Sequence, residues 1–75
     1  MDKNQKYLTI HKFSELTQTS IDTLKHYDKI GLLKPAYTGE NHYRYYLPEQ
    51  SLSLTRILFG KNAGIPLKEI RDFIV

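Results

Sequence analysis

The sequence contains no cysteine, so disulfide bonds and thiolate metal sites are excluded. Its three histidines, His11, His26 and His42, show neither the HxxxH nor the HExxH spacing that zinc sites use. We therefore expect no structural metal and no other cofactor. The chain also lacks a nucleophile, a carboxylate pair or a phosphate-binding glycine loop at workable spacing, so we expect no enzyme.

Long apolar runs are absent as well. No segment approaches the length of a membrane span, about 20 apolar residues, and residues 1–6 have no apolar stretch behind their charges. We expect a cytoplasmic protein with no membrane partner. With 75 residues, of which 40% are hydrophobic and 25% charged, the chain has the size and composition of one small folded domain.

Basic residues are in modest excess over acidic ones. Lys and Arg number 11 against 8 for Asp and Glu, which gives a net charge of +3 and a pI near 9.2. This balance favours an anionic partner.

Two short amphipathic helices are predicted near the start of the chain. Thr9 is a candidate N-cap, and the apolar spacing that follows it predicts a helix over residues 10–17. Ser20 is a second candidate N-cap, and a new apolar stripe predicts a second helix over residues 21–29. Gly31 suits the left-handed conformation that ends a helix. Two short helices joined by a three-residue turn are typical of a helix-turn-helix.

Residues 37–46 are rich in Tyr, Thr, Gly, Asn and His, which predicts a β-hairpin with a polar tip. Because side chains alternate along a strand, Arg44 and Tyr46 should lie on one face and Tyr43 and Tyr45 on the other. We expect at least one of Tyr43 and Tyr45 in the core. Arg44 suits a wing that grips the DNA backbone, since guanidinium pairs bidentately with phosphate. The alternative is that Arg44 only covers the tyrosines.

Two further helices complete the expected fold. Pro48 fits the first position of a third helix that ends by Gly64. Pro66 opens a fourth helix over residues 67–75, where the chain stops without a C-terminal helix signal, as if interrupted within the helix. The apolar stripe of the third helix is expected to comprise Leu52, Ile57 and Leu58, with Leu54 near its edge.

The predicted fold class is mainly α, a winged helix-turn-helix with about four helices and a small β-hairpin wing. On the second helix Ile21 and Leu24 face inward, and the opposite arc is polar and hydrogen-bonding. Such groups suit a helix in the DNA major groove, but they equally suit an ordinary solvated surface. Asp22 opposes DNA binding through its charge, and Asp28 falls close to the apolar arc without an assigned role. The exposed arc comprises Asp22, Thr23, His26 and Lys29.

Four motifs occur in order along nearly the whole chain. They are LTI at residues 8–10, SIDTLKHYDKIGLL at 20–33, YRYY at 43–46 and AGIPLKEI at 63–70. Together they resemble the MerR family of bacterial transcription regulators. The resemblance implies a winged DNA-binding domain whose second helix enters the major groove. The hairpin and the junction between the third and fourth helices would then act as two wings.

The resemblance also carries candidate DNA contacts over by position. Residues 25–27 read Lys-His-Tyr where the family usually has Arg-Tyr-Tyr, so the contacts at the first two positions differ in chemistry. Gln18 replaces a turn residue that is often glycine, and Gly60 lies inside a helix where a larger apolar residue is common. The implied contacts are Thr23, Lys25, His26 and Tyr27 on the second helix, Arg44 in the wing and Lys61 near the end of the third helix.

Family members typically continue into a coiled-coil helix that forms a dimer and then into a variable effector-binding domain. Neither falls within residues 1–75, which we expect to be the DNA-binding domain alone. The resemblance implies double-stranded promoter DNA and RNA polymerase as partners, a homodimer of the full-length protein, and activation or repression through DNA distortion. Two alternatives stay open: an excisionase-like DNA-bending factor, complete near this length, and a protein-interaction module, which would pack the exposed arc of the second helix.

Overall fold

The computed structural model describes residues 6–74, with side chains described for residues 6–72. Within that range the predicted winged helix-turn-helix is confirmed, and the expected end of the last helix at Val75 lies outside the described residues. In chain order the elements are β1 (Leu8–Thr9), α1 (Ile10–Thr17), α2 (Ile21–Lys29), β2 (Tyr37–Thr38), β3 (Arg44–Tyr46), α3 (Gln50–Asn62) and α4 (Leu67–Ile74).

Both predicted N-caps at the start of the chain are confirmed. The Thr9 hydroxyl accepts a hydrogen bond from the Lys12 amide at 3.2 Å, and the Ser20 hydroxyl accepts one from the Thr23 amide at 3.1 Å. Each cap satisfies an amide that has no partner inside its helix. The two helices therefore start at fixed positions on either side of a short turn.

Three helices end at a residue in the left-handed backbone conformation. Gly31 has φ 76° after α2 and Gly64 has φ 85° after α3, as glycine permits. After α1 the same role falls to Gln18, with φ 55°, although a side chain there costs about 1 kcal/mol or more. The Thr19 amide still donates to the Ser14 carbonyl at 3.1 Å. Gln18 thus keeps the turn geometry that glycine would give.

The wing is part of a three-stranded antiparallel sheet with strand order β1-β3-β2. Strand β1 pairs Leu8 with Tyr46, while β2 pairs Tyr37 with Tyr45. Strand β3 is therefore central and hydrogen-bonded on both sides. This pairing fixes the wing to the start of the helix-turn-helix.

The core tyrosine of the wing is Tyr46. Its side chain is fully buried and its ring stacks on Phe13 with centroids 4.4 Å apart. The expectation that Tyr43 or Tyr45 would be in the core is wrong, because the face of β3 that carries Arg44 and Tyr46 is the one that meets the helices. Tyr43 is 61% exposed, and the half-buried Tyr45 stacks on Tyr37 on the outer face at 4.8 Å.

The buried stripe of α3 also differs from the expected one. Leu54 and Ile57 are buried, whereas Leu52 is 64% exposed and Leu58 is only partly buried. Leu54 and Ile57 are three positions apart and share a face, and Leu52 lies two positions before Leu54, on the opposite side. The regular helix begins at Gln50 and not at Pro48.

Helix α4 packs on α3 and reaches back to α2. Gly60 is buried, and a methyl group added there would lie 3.0 Å from Cγ1 of Ile70. The small residue is therefore required by the close approach of the two helices. At the other end of the contact, Arg71 Nη1 donates to the Ile30 carbonyl at 3.0 Å, just after α2.

Gly60→Ala is predicted to destabilise the fold. Alanine gains about 1 kcal/mol of helix propensity, but the overlap with Ile70 costs about 1–3 kcal/mol, so the free energy of unfolding should fall. Urea unfolding followed by circular dichroism measures the change. In an Ile70→Val background, which removes Cδ1, the penalty should shrink. A Gly60→Ala protein more stable than the parent would contradict this packing.

The Tyr46 hydroxyl is buried without a hydrogen-bond partner among the described residues. Burial raises the pKa of Tyr46 to about 12, with a further increase from the Asp28 carboxylate and an opposing effect of Arg44. The Tyr46 hydroxyl therefore stays protonated in the folded state at pH values at which it ionises in the unfolded state. Stability should be fully present below pH 10, the ordinary tyrosine value, and fall as pH rises towards 12.

Tyr46→Phe is predicted to make this alkaline loss of stability shallower. At neutral pH the variant should be as stable as the parent or more stable by about 1 kcal/mol, because an unsatisfied buried hydroxyl is removed. Urea unfolding between neutral pH and about pH 11 tests both effects, with the exposed Tyr43→Phe as the matched control. Identical pH profiles for parent and Tyr46→Phe would count against the raised pKa.

Candidate nucleic-acid interface

The polar arc of α2 faces solvent. Leu24 anchors the helix in the core, and the Thr23 hydroxyl is held by the Ser20 hydroxyl at 2.8 Å. The protein-interaction alternative required this arc to be packed, and within the described residues it is open. The open side chains are Asp22, Lys25, His26 and Lys29, with Thr23 at the edge of the arc.

Tyr27 does not belong to this surface. It was expected with the DNA contacts of α2, but its side chain is 1% exposed and its hydroxyl is buried. The reason is helical spacing, since Tyr27 lies three positions after the buried Leu24 and so shares the inward face. The structure places Tyr27 in the core.

A groove of about 360 Å³ separates α2 from the tip of the wing and the start of α1. Lys25 and Arg44 both line it, although they are 19 positions apart in sequence. The structure thus brings together two of the residues that were predicted as DNA contacts. Sequence reasoning missed three further residues of the groove, His11, His42 and Tyr43.

His42 has a signal that could have been recognised. It adopts φ 67° at the wing tip, a conformation that non-glycine residues seldom take. The Asn41 side chain accepts from the Tyr43 amide at 3.1 Å, and the Gly39 amide donates to the Tyr43 carbonyl at 2.8 Å. A Gly-Glu-Asn-His segment between tyrosines predicts such a tight turn. His11, in contrast, reaches the groove only through the tertiary fold.

Arg44 is tied to α2 by an ion pair. Its Nε donates to Oδ2 of Asp28 at 2.8 Å, with the two side chains 29% and 18% exposed. This contact accounts for Asp28, which had no assigned role in the sequence. Lys34 approaches the other carboxylate oxygen at 3.5 Å but is 70% exposed. Arg44 is therefore more than a cover for the tyrosines.

The two charged side chains that line the groove, Lys25 and Arg44, are both positive. Lys25 is exposed and faces no hydrogen-bonding partner among the described residues, and the Asp28 charge is balanced by Arg44. Asp22 is the exposed acid on the arc. Lys61 is also exposed, in the last turn of α3, but it lies outside the groove. The candidate interface therefore has a central cationic groove and a separate basic position near the junction of α3 and α4.

Metal sites and membrane-spanning helices are absent from the described part of the chain. Within residues 6–74, no group of three His, Asp or Glu side chains is arranged to hold a metal ion. None of the helices in that range has the length and apolar character needed to cross a membrane.

Comparison with known proteins places this geometry in a family. The model described as MerR HTH family regulatory protein matches residues 8–74. The multidrug-efflux transporter 2 regulator of Bacillus subtilis is 44% identical over 70 residues, which cover 93% of this chain and 26% of that protein. The chain thus spans about a quarter of the length of such relatives.

Solved structures show the same fold. HiNmlR, a MerR family regulator lacking the sensor domain and bound to promoter DNA, matches with a TM-score of 0.80 and 32% identity over 92% of this chain and 55% of that chain. EcmrR, in the EcmrR–DNA complex of EcmrR-RPo, matches with a TM-score of 0.80 and 38% identity over 84% of this chain and 24% of that chain. These matches favour a regulator over the excisionase-like alternative. The chain belongs to the MerR family of helix-turn-helix regulatory proteins.

Proposed function

We propose that this chain is the DNA-reading head of a bacterial transcription regulator that acts by binding and not by catalysis. The observation that carries the proposal is the groove in which Lys25 of α2 and Arg44 of the wing lie beside an open polar arc. Two cationic side chains on separate elements can contact the backbone of one DNA duplex, and the polar arc of α2 beside Lys25 can face the bases.

Helix α2 is the element that enters the major groove. It is nine residues long, and an α-helix with its side chains is about 10–12 Å across, which fits a major groove about 12 Å wide. Thr23 and His26 then read base edges through hydrogen bonds and methyl contact. Lys25, Arg44 and Lys61 contact phosphates and set the position of the helix. Tyr27 supports the helix from the core and makes no direct contact.

The partners follow from the relatives that have been solved with DNA. Their complexes support double-stranded promoter DNA, and RNA polymerase at that promoter, as partners of this chain. We infer that the regulator binds as a homodimer on a pseudo-palindromic operator, because one short helix and one wing make a small contact area. Activation or repression would follow from distortion of the promoter in the cytoplasm, without a cofactor held by this domain.

The 75-residue chain is expected to bind duplex DNA weakly and with a steep salt dependence, because the contacts are mainly ionic. Arg44→Ala should weaken binding on every duplex sequence and lower the salt slope by roughly one. Fluorescence anisotropy with a labelled duplex at several salt concentrations measures both quantities. Arg56→Ala removes an exposed arginine of α3 that does not line the groove and is the matched control.

Two outcomes of that titration would contradict the proposal. If the parent chain bound no duplex even at low salt, the DNA-binding function itself would be wrong. If Arg44→Ala changed the preference between duplex sequences and left the salt slope intact, the assignment of the wing to phosphate would be reversed.

His26→Ala is predicted to cost about 1 kcal/mol on a preferred sequence and to relax the preference at a particular base pair, since a base-edge contact is lost. Lys29→Ala, on the same exposed arc, should instead act equally on all sequences. Preferred duplexes are first selected from a random pool with the parent chain, and affinities are then compared with a scrambled duplex. Equal affinity of parent and His26→Ala on both duplexes would show that His26 is merely solvated.

A further inference from the structure

Asp28 is an acidic residue close to a surface that we propose meets a polyanion. A carboxylate near phosphates is repelled, and one that is only 18% exposed also loses hydration. Both effects work against an unpaired carboxylate, and Asp28 is paired with Arg44 at 2.8 Å and approached by Lys34 at 3.5 Å. Asp22, on the same helix, is exposed and has no ion-pair partner among the described residues, so it offers a direct comparison.

The geometry of the ion pair shows what Asp28 can do. Arg44 donates to it through Nε, and this bond restricts the direction in which the guanidinium group can point. The two terminal nitrogens make no hydrogen bond within the described residues, and Arg44 lines the same groove as Lys25. A guanidinium group held at Nε keeps two parallel donors for a phosphate, which is the bidentate arrangement that arginine favours.

We propose that Asp28 is a positioning residue for DNA binding, which holds the terminal nitrogens of Arg44 at the groove so that they meet a backbone phosphate. The proposal rests on the DNA-binding function proposed above and adds to it a residue that acts without touching DNA. Asp28 links the recognition helix to the wing, so the phosphate contact is formed in a fixed register with the bases that α2 faces. Without the bond to Asp28, the Arg44 side chain would lose its rotational freedom only when DNA binds, and this ordering would weaken binding.

A charge effect and a positioning effect have opposite signs, which makes the proposal testable. If Asp28 acted only through its charge, Asp28→Asn would tighten DNA binding, as Asp22→Asn should, by about twofold at low salt. If Asp28 positions Arg44, Asp28→Asn weakens binding by several-fold and lowers the salt slope towards that of Arg44→Ala. Asparagine has nearly the same shape as aspartate, so the packing is preserved, but its neutral amide oxygen accepts a hydrogen bond from Arg44 Nε more weakly than a carboxylate does.

The experiment measures the affinity of the 75-residue chain for one labelled mixed-sequence duplex at several salt concentrations. It compares the parent with Asp22→Asn, Asp28→Asn, Arg44→Ala and the Asp28→Asn/Arg44→Ala double variant. We expect Asp28→Asn to weaken binding in the parent and to tighten it by about twofold when Arg44 is already absent. Nitrogen-15 relaxation of the Arg44 Nε group should show a restricted side chain in the parent and a more mobile one in Asp28→Asn.

Thermal melts establish that each variant folds, and Arg44→Lys provides a second test that leaves Asp28 intact. A lysine ammonium group keeps the charge but lacks the planar fork that pairs bidentately with phosphate, so Arg44→Lys should bind more weakly than the parent. The proposal is overturned if Asp28→Asn tightens binding as Asp22→Asn does, or if Arg44→Lys binds like the parent. Loss of all DNA binding by the parent would instead overturn the proposed function, and this inference with it.

Discussion

The stacking of Tyr46 on Phe13 is the contact on which the arrangement of the interface depends. It joins the central strand of the sheet to the first helix through two fully buried rings. Arg44 lies two positions before Tyr46 on the same face of β3, so the depth at which Tyr46 is seated also determines how far Arg44 stands from α2. The helix and the wing are therefore set relative to each other by an apolar contact, and the ion pair with Asp28 completes the alignment.

The interface combines fixed and adaptable parts. Helix α2 is fixed by Leu24 and Tyr27 below and by the Ser20 cap at its start. The wing is hydrogen-bonded on both sides of β3, and its tip is held by Asn41. Side chains that reach out from this framework, such as Lys25 and His26, are exposed and can adjust to the duplex. Because the framework is already rigid, only the exposed side chains lose conformational freedom when a duplex binds.

The parts of the fold that depend on neighbouring residues could be predicted from the sequence. The caps at Thr9 and Ser20 and the left-handed Gly31 follow from local chemistry, and the structure confirms them. Which face of the wing is buried could not be predicted, because alternation separates Tyr45 from Tyr46 without saying which one meets the helices. The pairing of β1 was missed since a two-residue strand has no periodicity. Asp28 needed the tertiary fold, because its partner is 16 positions away.

The bond from Arg71 to the Ile30 carbonyl has a mechanical consequence for the molecule. It attaches the last helix to the segment where the recognition helix ends, while Ile70, on the neighbouring position, is wedged against Gly60. A tilt of α4 must therefore either break this bond or drag the end of α2 along with it. Helix α4 thereby connects α3, which it meets at Gly60, to the end of α2, which it meets through Arg71.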